Sequence, residues 1–152
     1  MNKIIAAGFA MTLAFASFSS QAADSAKGGS AMLAPAADIK WNDVPGFAGL
    51  KMATLDGDPA KGTHHSMIRF AGGFASPLHH HSSDHFATVV AGTLVLTVDG
   101  KDTKLPPGSF FSFKGKQKHI TKCEAGADCI LSVDVRGKWD VVREDTKATG
   151  KK

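Results

Sequence analysis

Five of the seven histidines stand where they could act together: His79, His80, His81 and His85 in Pro77-Leu78-His79-His80-His81-Ser82-Ser83-Asp84-His85, and a lone His119. Side chains alternate along an extended strand, so positions 79, 81 and 85 share one side and His80 takes the other. If that side faces the inside of a barrel, three imidazoles converge on one point. Protonated, they would repel one another; neutral, they are ready-made ligands, and a bound cation resolves the conflict. Two blander arrangements compete: a surface histidine tract that collects metal loosely, and core histidines that hold no metal. The flanks favour a site on a rigid element, because the tract lies between the Gly72-Gly73-Phe74 turn and the apolar run Phe86 to Val90. For a general acid or base the nearest candidates are Asp84, His65 and Arg69, with His65, Met67 and Arg69 on one face of the preceding strand. The simpler account of each is a satisfied barrel residue or a hydrogen-bond partner of a ligand.

These residues need a scaffold, and the chain spells one out in short β-type runs. They are Lys51 to Leu55, His64 to Phe70, Phe86 to Val90, Leu94 to Val98, Thr103 to Leu105, Phe110 to Phe113, Lys118 to Cys123, Ile130 to Val135 and Trp139 to Val142. Asp99-Gly100 is a hairpin turn signal, and Pro106-Pro107-Gly108 ends the strand before it. No stretch after the leader has a helical period, so the expectation is an all-β sandwich or barrel. Closure would also remove exposed sheet edges.

The ends of the chain read differently. Lys3, an apolar run from Ile4 to Ala16 and the small residues up to Ala22 have the order of a secretory signal peptide. The apolar run is shorter than the ~20 residues of a membrane span. The expected organisation is a signal peptide over 1–22, a flexible Ala/Ser/Gly lead-in over 23–38, a folded domain over 39–143 and a basic tail over 144–152. The expected location is periplasmic or secreted, with no stable membrane insertion. Cys123 and Cys129 are the only cysteines, and an oxidising compartment favours their pairing; a free Cys123 facing the histidines is the alternative. The net charge of +4 is scattered, without the basic face and stacking aromatics that nucleic acid requires. Lys114, Lys116 and Lys118 read as a solvated strand face.

From Gly73 the chain runs five residues to His79, one to His81, three to His85 and six to Gly92. This resembles the first motif of the cupin superfamily, with His85 in the place of its usual glutamate. Gly108 and His119 stand at the separation of the second motif, whose proline, second glycine and asparagine are replaced here by Lys114, Lys116 and Cys123. The resemblance implies a double-stranded β-helix, or jelly-roll barrel, with one metal ion held by His79, His81, His85 and His119, and often a homodimer. Imidazole donors suit Fe, Zn, Cu or Ni better than Mn or Mg. A divalent ion without a carboxylate ligand keeps its charge and attracts anions. The implied activity is dioxygenase, isomerase or decarboxylase chemistry on a small anionic molecule; the alternative is a non-catalytic metal- or ligand-binding or sensing module of the cell envelope. The chain has no tyrosine, which makes sugar epimerases and thiol dioxygenases that depend on one poor models.

Overall fold

The computed structural model describes residues 31–144, so the expected signal peptide, half of the lead-in and nearly all of the basic tail lie outside the described residues. The fold belongs to the unit that begins at Ala34. After a short 3-10 turn, Ala36–Asp38, the chain forms eleven strands: β1 Asn42–Asp43, β2 Leu50–Gly57, β3 His64–Phe70, β4 His79–His80, β5 His85–Ala91, β6 Leu94–Val98, β7 Lys101–Leu105, β8 Phe110–Phe113, β9 Ile120–Cys123, β10 Cys129–Val135 and β11 Val142–Arg143. The structure is all-β, a jelly-roll barrel. Among the described residues no helix is long and apolar enough to cross a membrane.

One sheet of six strands has the order β1-β2-β3-β10-β5-β8, a second of three has the order β7-β6-β9, and β11 pairs with β4. Two isolated bridges, Ala75 with Lys122 and His79 with His119, join β9 and the residue before it to the segment around β4. The six-stranded sheet therefore faces a second layer, β7-β6-β9 extended through β4 and β11. Alternation fills the space between them: Ile68 and Phe70 of β3, Ala87 and Val89 of β5, and Leu131 and Val133 of β10 are all buried.

The hairpin at Asp99-Gly100 forms as expected, with φ of 51° and 77° at its two residues and Val98 opposite Lys101; both positive angles belong to a type I′ turn. Gly92 also has a positive φ, 71°, and a Cβ there would lie 2.5 Å from the Asp128 carbonyl. It lets β5 and β6 turn tightly over the start of β10. Cys123 and Cys129 form a disulfide across a sequence separation of 6, tying β9 to β10.

Three expectations need correction. Lys114 and Lys116 occupy a turn, with Lys116 at φ 69°, and are not alternate positions of a strand. The strand expected at Lys118 begins at Ile120, because His119 bridges to His79 instead. The run Trp139 to Val142 is a strand only from Val142; Trp139 and Asp140 are turned toward other partners.

Candidate metal centre

His79 and His119 face each other as a hydrogen-bonded antiparallel pair, N to O at 3.0 Å and 2.9 Å in the two directions. That bridge puts their side chains on one face, with ring centroids 4.3 Å apart. His81 follows two residues after His79 and returns to the same side, its ring 5.1 Å from His79 and 5.5 Å from His119. One ring nitrogen from each of these three lies within 4.8 Å of the other two. His85 comes from the opposite sheet, at the start of β5. It lies outside that mutual group, yet its ring is 4.8 Å from His81 and 6.0 Å from His119. All four are buried, between 2% and 6% exposed.

The ring orientations follow from the backbone. Nδ1 of His79 donates to the Pro77 carbonyl at 2.9 Å, Nδ1 of His119 to Gln117 at 3.0 Å, and Nδ1 of His81 to Asp140. Nδ1 of His85 reaches toward the Ser83 carbonyl at 3.5 Å. A carbonyl can only accept, so Nδ1 carries the proton and Nε2 keeps the lone pair that binds a metal. Burial favours the same neutral form by penalising the charged ring. It pushes His81 down to about 2 and His119 down to about 4, the other imidazoles adding to the effect, and lowers His79 and His85 as well. Phe113 stacks on His119 at 4.1 Å and Trp139 on His81 at 4.1 Å, which fixes the planes of both rings.

A C-terminal strap completes the centre. Val142 and Arg143 pair with His80 and His79. The Asp140 carboxylate takes the Ser82 amide at 2.7 Å and its hydroxyl, while the Asp140 carbonyl takes His81. Glu144 holds His80 Nδ1 at 2.7 Å and Lys118 at 2.7 Å, the residues beside His79 and His119. Arg143 donates to the Gly46 carbonyl at 2.7 Å and covers the Phe47 ring.

The four histidines open on a cavity of about 50 Å³, room for a few waters or a small ligand. Among the described residues its only other polar side chains, leaving aside the Trp139 indole, are Ser76 and Thr121; Phe47, Phe70, Phe74 and Phe111 supply much of the wall. No carboxylate, lysine or arginine among the described residues lines it.

The structure thus brings together all four expected ligands but none of the three acid–base candidates. Asp84 accepts from Lys114 Nζ and the Gly115 amide, both at 2.8 Å, outside the cavity, and the lysine holds its carboxyl below the usual range. His65 bonds Asp134 and Ser132, each at 3.0 Å, and Arg69 bonds Asp128 at 2.7 Å. Both lie on the outer face of β3, whose inward positions are His64, Ser66, Ile68 and Phe70. The sequence did carry that signal, since the apolar residues of β3 have the parity of His64 and not of His65. Trp139, Asp140 and Phe113 were also missed as parts of the site. Cys123 is buried and paired with Cys129, so its thiol does not face the histidines.

The cupin domain family model matches residues 66–136, which span β3 to β10 and hold all four histidines. This stretch is a cupin domain. Its fold is similar to that of the polyketide cyclase RemF from Streptomyces resistomycificus, at 18% identity and a TM-score of 0.67, over 78% of this chain and 89% of that one. A predicted oxalate decarboxylase from Thermotoga maritima aligns at 18% identity and a TM-score of 0.59, over 70% and 99% of the two chains. An RmlC-like cupin from Shewanella frigidimarina aligns at 23% identity and a TM-score of 0.56, over 70% and 92%. At these identities the likeness is one of fold, and the same barrel carries different chemistries. No curated protein matches the sequence.

Proposed function

We propose that this cupin binds one divalent transition metal ion through His79, His81 and His119, with His85 as a fourth donor from the facing sheet. The observation that carries the reading is the donor set. Each of the three mutually adjacent imidazoles has its Nδ1 committed to a backbone carbonyl, leaving Nε2 as the free donor. An all-imidazole set suits Fe, Zn, Cu or Ni. Bound there, the ion would supply Lewis acidity, or redox chemistry with dioxygen if it is Fe or Cu. The protein's part is to exclude water with its aromatic wall and to hold the ligand rings in one orientation.

The substrate or ligand we infer is a small organic anion. No carboxylate offsets the ion's charge, so an anionic oxygen is attracted to it, and the carbon part of the molecule rests against Phe47, Phe74 and Phe111. Dioxygenase, isomerase or decarboxylase chemistry fits such a site. A second reading, a non-catalytic module that senses or carries metal or ligand, is favoured by one observation: among the described residues no carboxylate, lysine or arginine lines the cavity to serve as acid or base. The leader-like N-terminus and the Cys123–Cys129 pair support a periplasmic or secreted location, and a homodimer is part of the proposal.

Metal analysis of protein purified from its own compartment, followed by an oxygen-uptake screen with catechols, diketones and flavonols, tests both readings. Stoichiometric Fe or Cu with turnover supports the enzyme, and tightly held zinc without turnover supports the binding module. Protein that takes up no transition metal at saturating supply refutes both.

A further inference from the structure

Inside the barrel, two polar side-chain atoms have no hydrogen-bond partner among the described residues: His64 Nε2 and Ser66 Oγ. Their residues are only 2% and 1% exposed. Both residues sit on the inward face of β3, two apart, which separates their Cα atoms by about 6.6 Å along the strand. Across β10 they face Val135 and Val133, and one strand further on lie His85 and Ala87. Neither lines the metal cavity. Trp139 touches both regions, meeting His64 edge-on at 6.3 Å and stacking on His81 at 4.1 Å.

The hydrogen-bonding capacities of the two side chains are complementary to a single small molecule. His64 Nδ1 lies 2.9 Å from the Gly62 carbonyl and must donate to it, so Nε2 of the neutral ring is a lone-pair acceptor. The Ser66 hydroxyl can donate and accept. Leaving both unpaired in a dry interior is costly, and a molecule that both donates and accepts within that span removes the cost for both.

We propose that His64 and Ser66 form a buried water site, separate from the metal centre and backed by Trp139. The water donates one hydrogen to His64 Nε2 and accepts the hydroxyl hydrogen of Ser66, which gives it the two polar partners that internal waters require. His64 and Ser66 are then a polar pair held in the core through a bound solvent molecule, and the site does not depend on whether metal is present.

A double-mutant cycle in the full chain, read by urea unfolding, and a high-resolution crystal structure test it together. With the water in place, Ser66→Ala strands His64 Nε2 and raises the unfolding constant about tenfold. His64→Leu strands the Ser66 hydroxyl in the same way, and the double variant is less destabilised than the two singles combined. Density for one water within about 3.2 Å of both atoms is the matching crystallographic result. The site is refuted if Ser66→Ala is neutral or stabilising, as removal of a truly dry hydroxyl would be, or if the crystal shows the two side chains bonded to protein groups instead.

Discussion

Lowering the pH of the metal-free protein from 7.5 to 4.5 should strip it of much of its stability, and the buried imidazoles set the size of the effect. In the folded chain His81 and His119 are held down to about 2 and about 4 by desolvation, with His79 and His85 lowered in the same direction. In the unfolded chain each returns to its ordinary value of about 6.5. Between those limits the unfolded state binds protons that the folded state refuses, so stability falls as pH falls. By pH 4.5, His81 and His119 together remove on the order of 5 kcal/mol. That is a large share of the roughly 5–15 kcal/mol that holds a domain together. At a urea slope near 1.5 kcal/mol/M it moves the midpoint down by about 3 M. The carboxylates do not confuse the reading. Asp84, Asp102, Asp128 and Glu144 are lowered by their lysine, arginine, hydroxyl and histidine partners, so their contribution persists above about pH 4.5 and is lost only below it. The assay is urea unfolding followed by fluorescence of Trp41 and Trp139 at four pH values, with chelator present throughout. A midpoint that moves by less than about 0.5 M across the range refutes the claim that burial keeps these rings neutral.

Further outcomes follow from the same geometry. His119→Ala should lower zinc affinity at least 100-fold in a competition titration, and His85→Ala less, because His85 lies outside the mutual group of three. Equal losses would make His85 a full ligand, and no loss at His119 would end the metal assignment. Asp140→Ala leaves the backbone carbonyl that holds His81 but frees it from Ser82, so metal affinity should drop about tenfold while the fold persists; unchanged affinity would show that the strap does not orient His81. Replacing Cys123 and Cys129 together by Ser should cost about 2 kcal/mol for so short a loop, seen as a lower urea midpoint under non-reducing conditions.

Much of the architecture was legible because the inward and outward residues of β3, β5 and β10 alternate with period two and the turns between strands carry Gly, Pro or Asp-Gly. The clustering of the histidines was legible for a related reason: His79 and His81 keep one parity, and His85 begins an apolar strand with Ala87 and Val89 inward beside it. What escaped was whatever depends on partners distant in sequence. Nothing local to Trp139-Asp140 says that a carbonyl there will accept from His81, 59 positions away. The same holds for Glu144, whose partners His80 and Lys118 are brought together only when β11 lies along β4. His65 and Arg69 lie on the outer face of β3, away from the cavity, which alternation alone could not tell, because it shows which residues share a face but not which face is inside. That choice is made by Ile68 and Phe70, which outweigh two polar residues of the same parity.

The strap also imposes an order of assembly. A chain that emerges from its N-terminal side, from the ribosome or across a membrane, presents His79, His81, His85 and His119 before residues 139–144 follow. Until then the His81 ring lacks both the carbonyl that takes its Nδ1 hydrogen and the indole that lies against it. A nascent chain therefore holds the histidines before their rings are fixed, and under the proposed metal binding the capacity to retain an ion would arrive last. A domain fused or cut near residue 144 would be felt first in metal retention and only afterwards in the β-sheets.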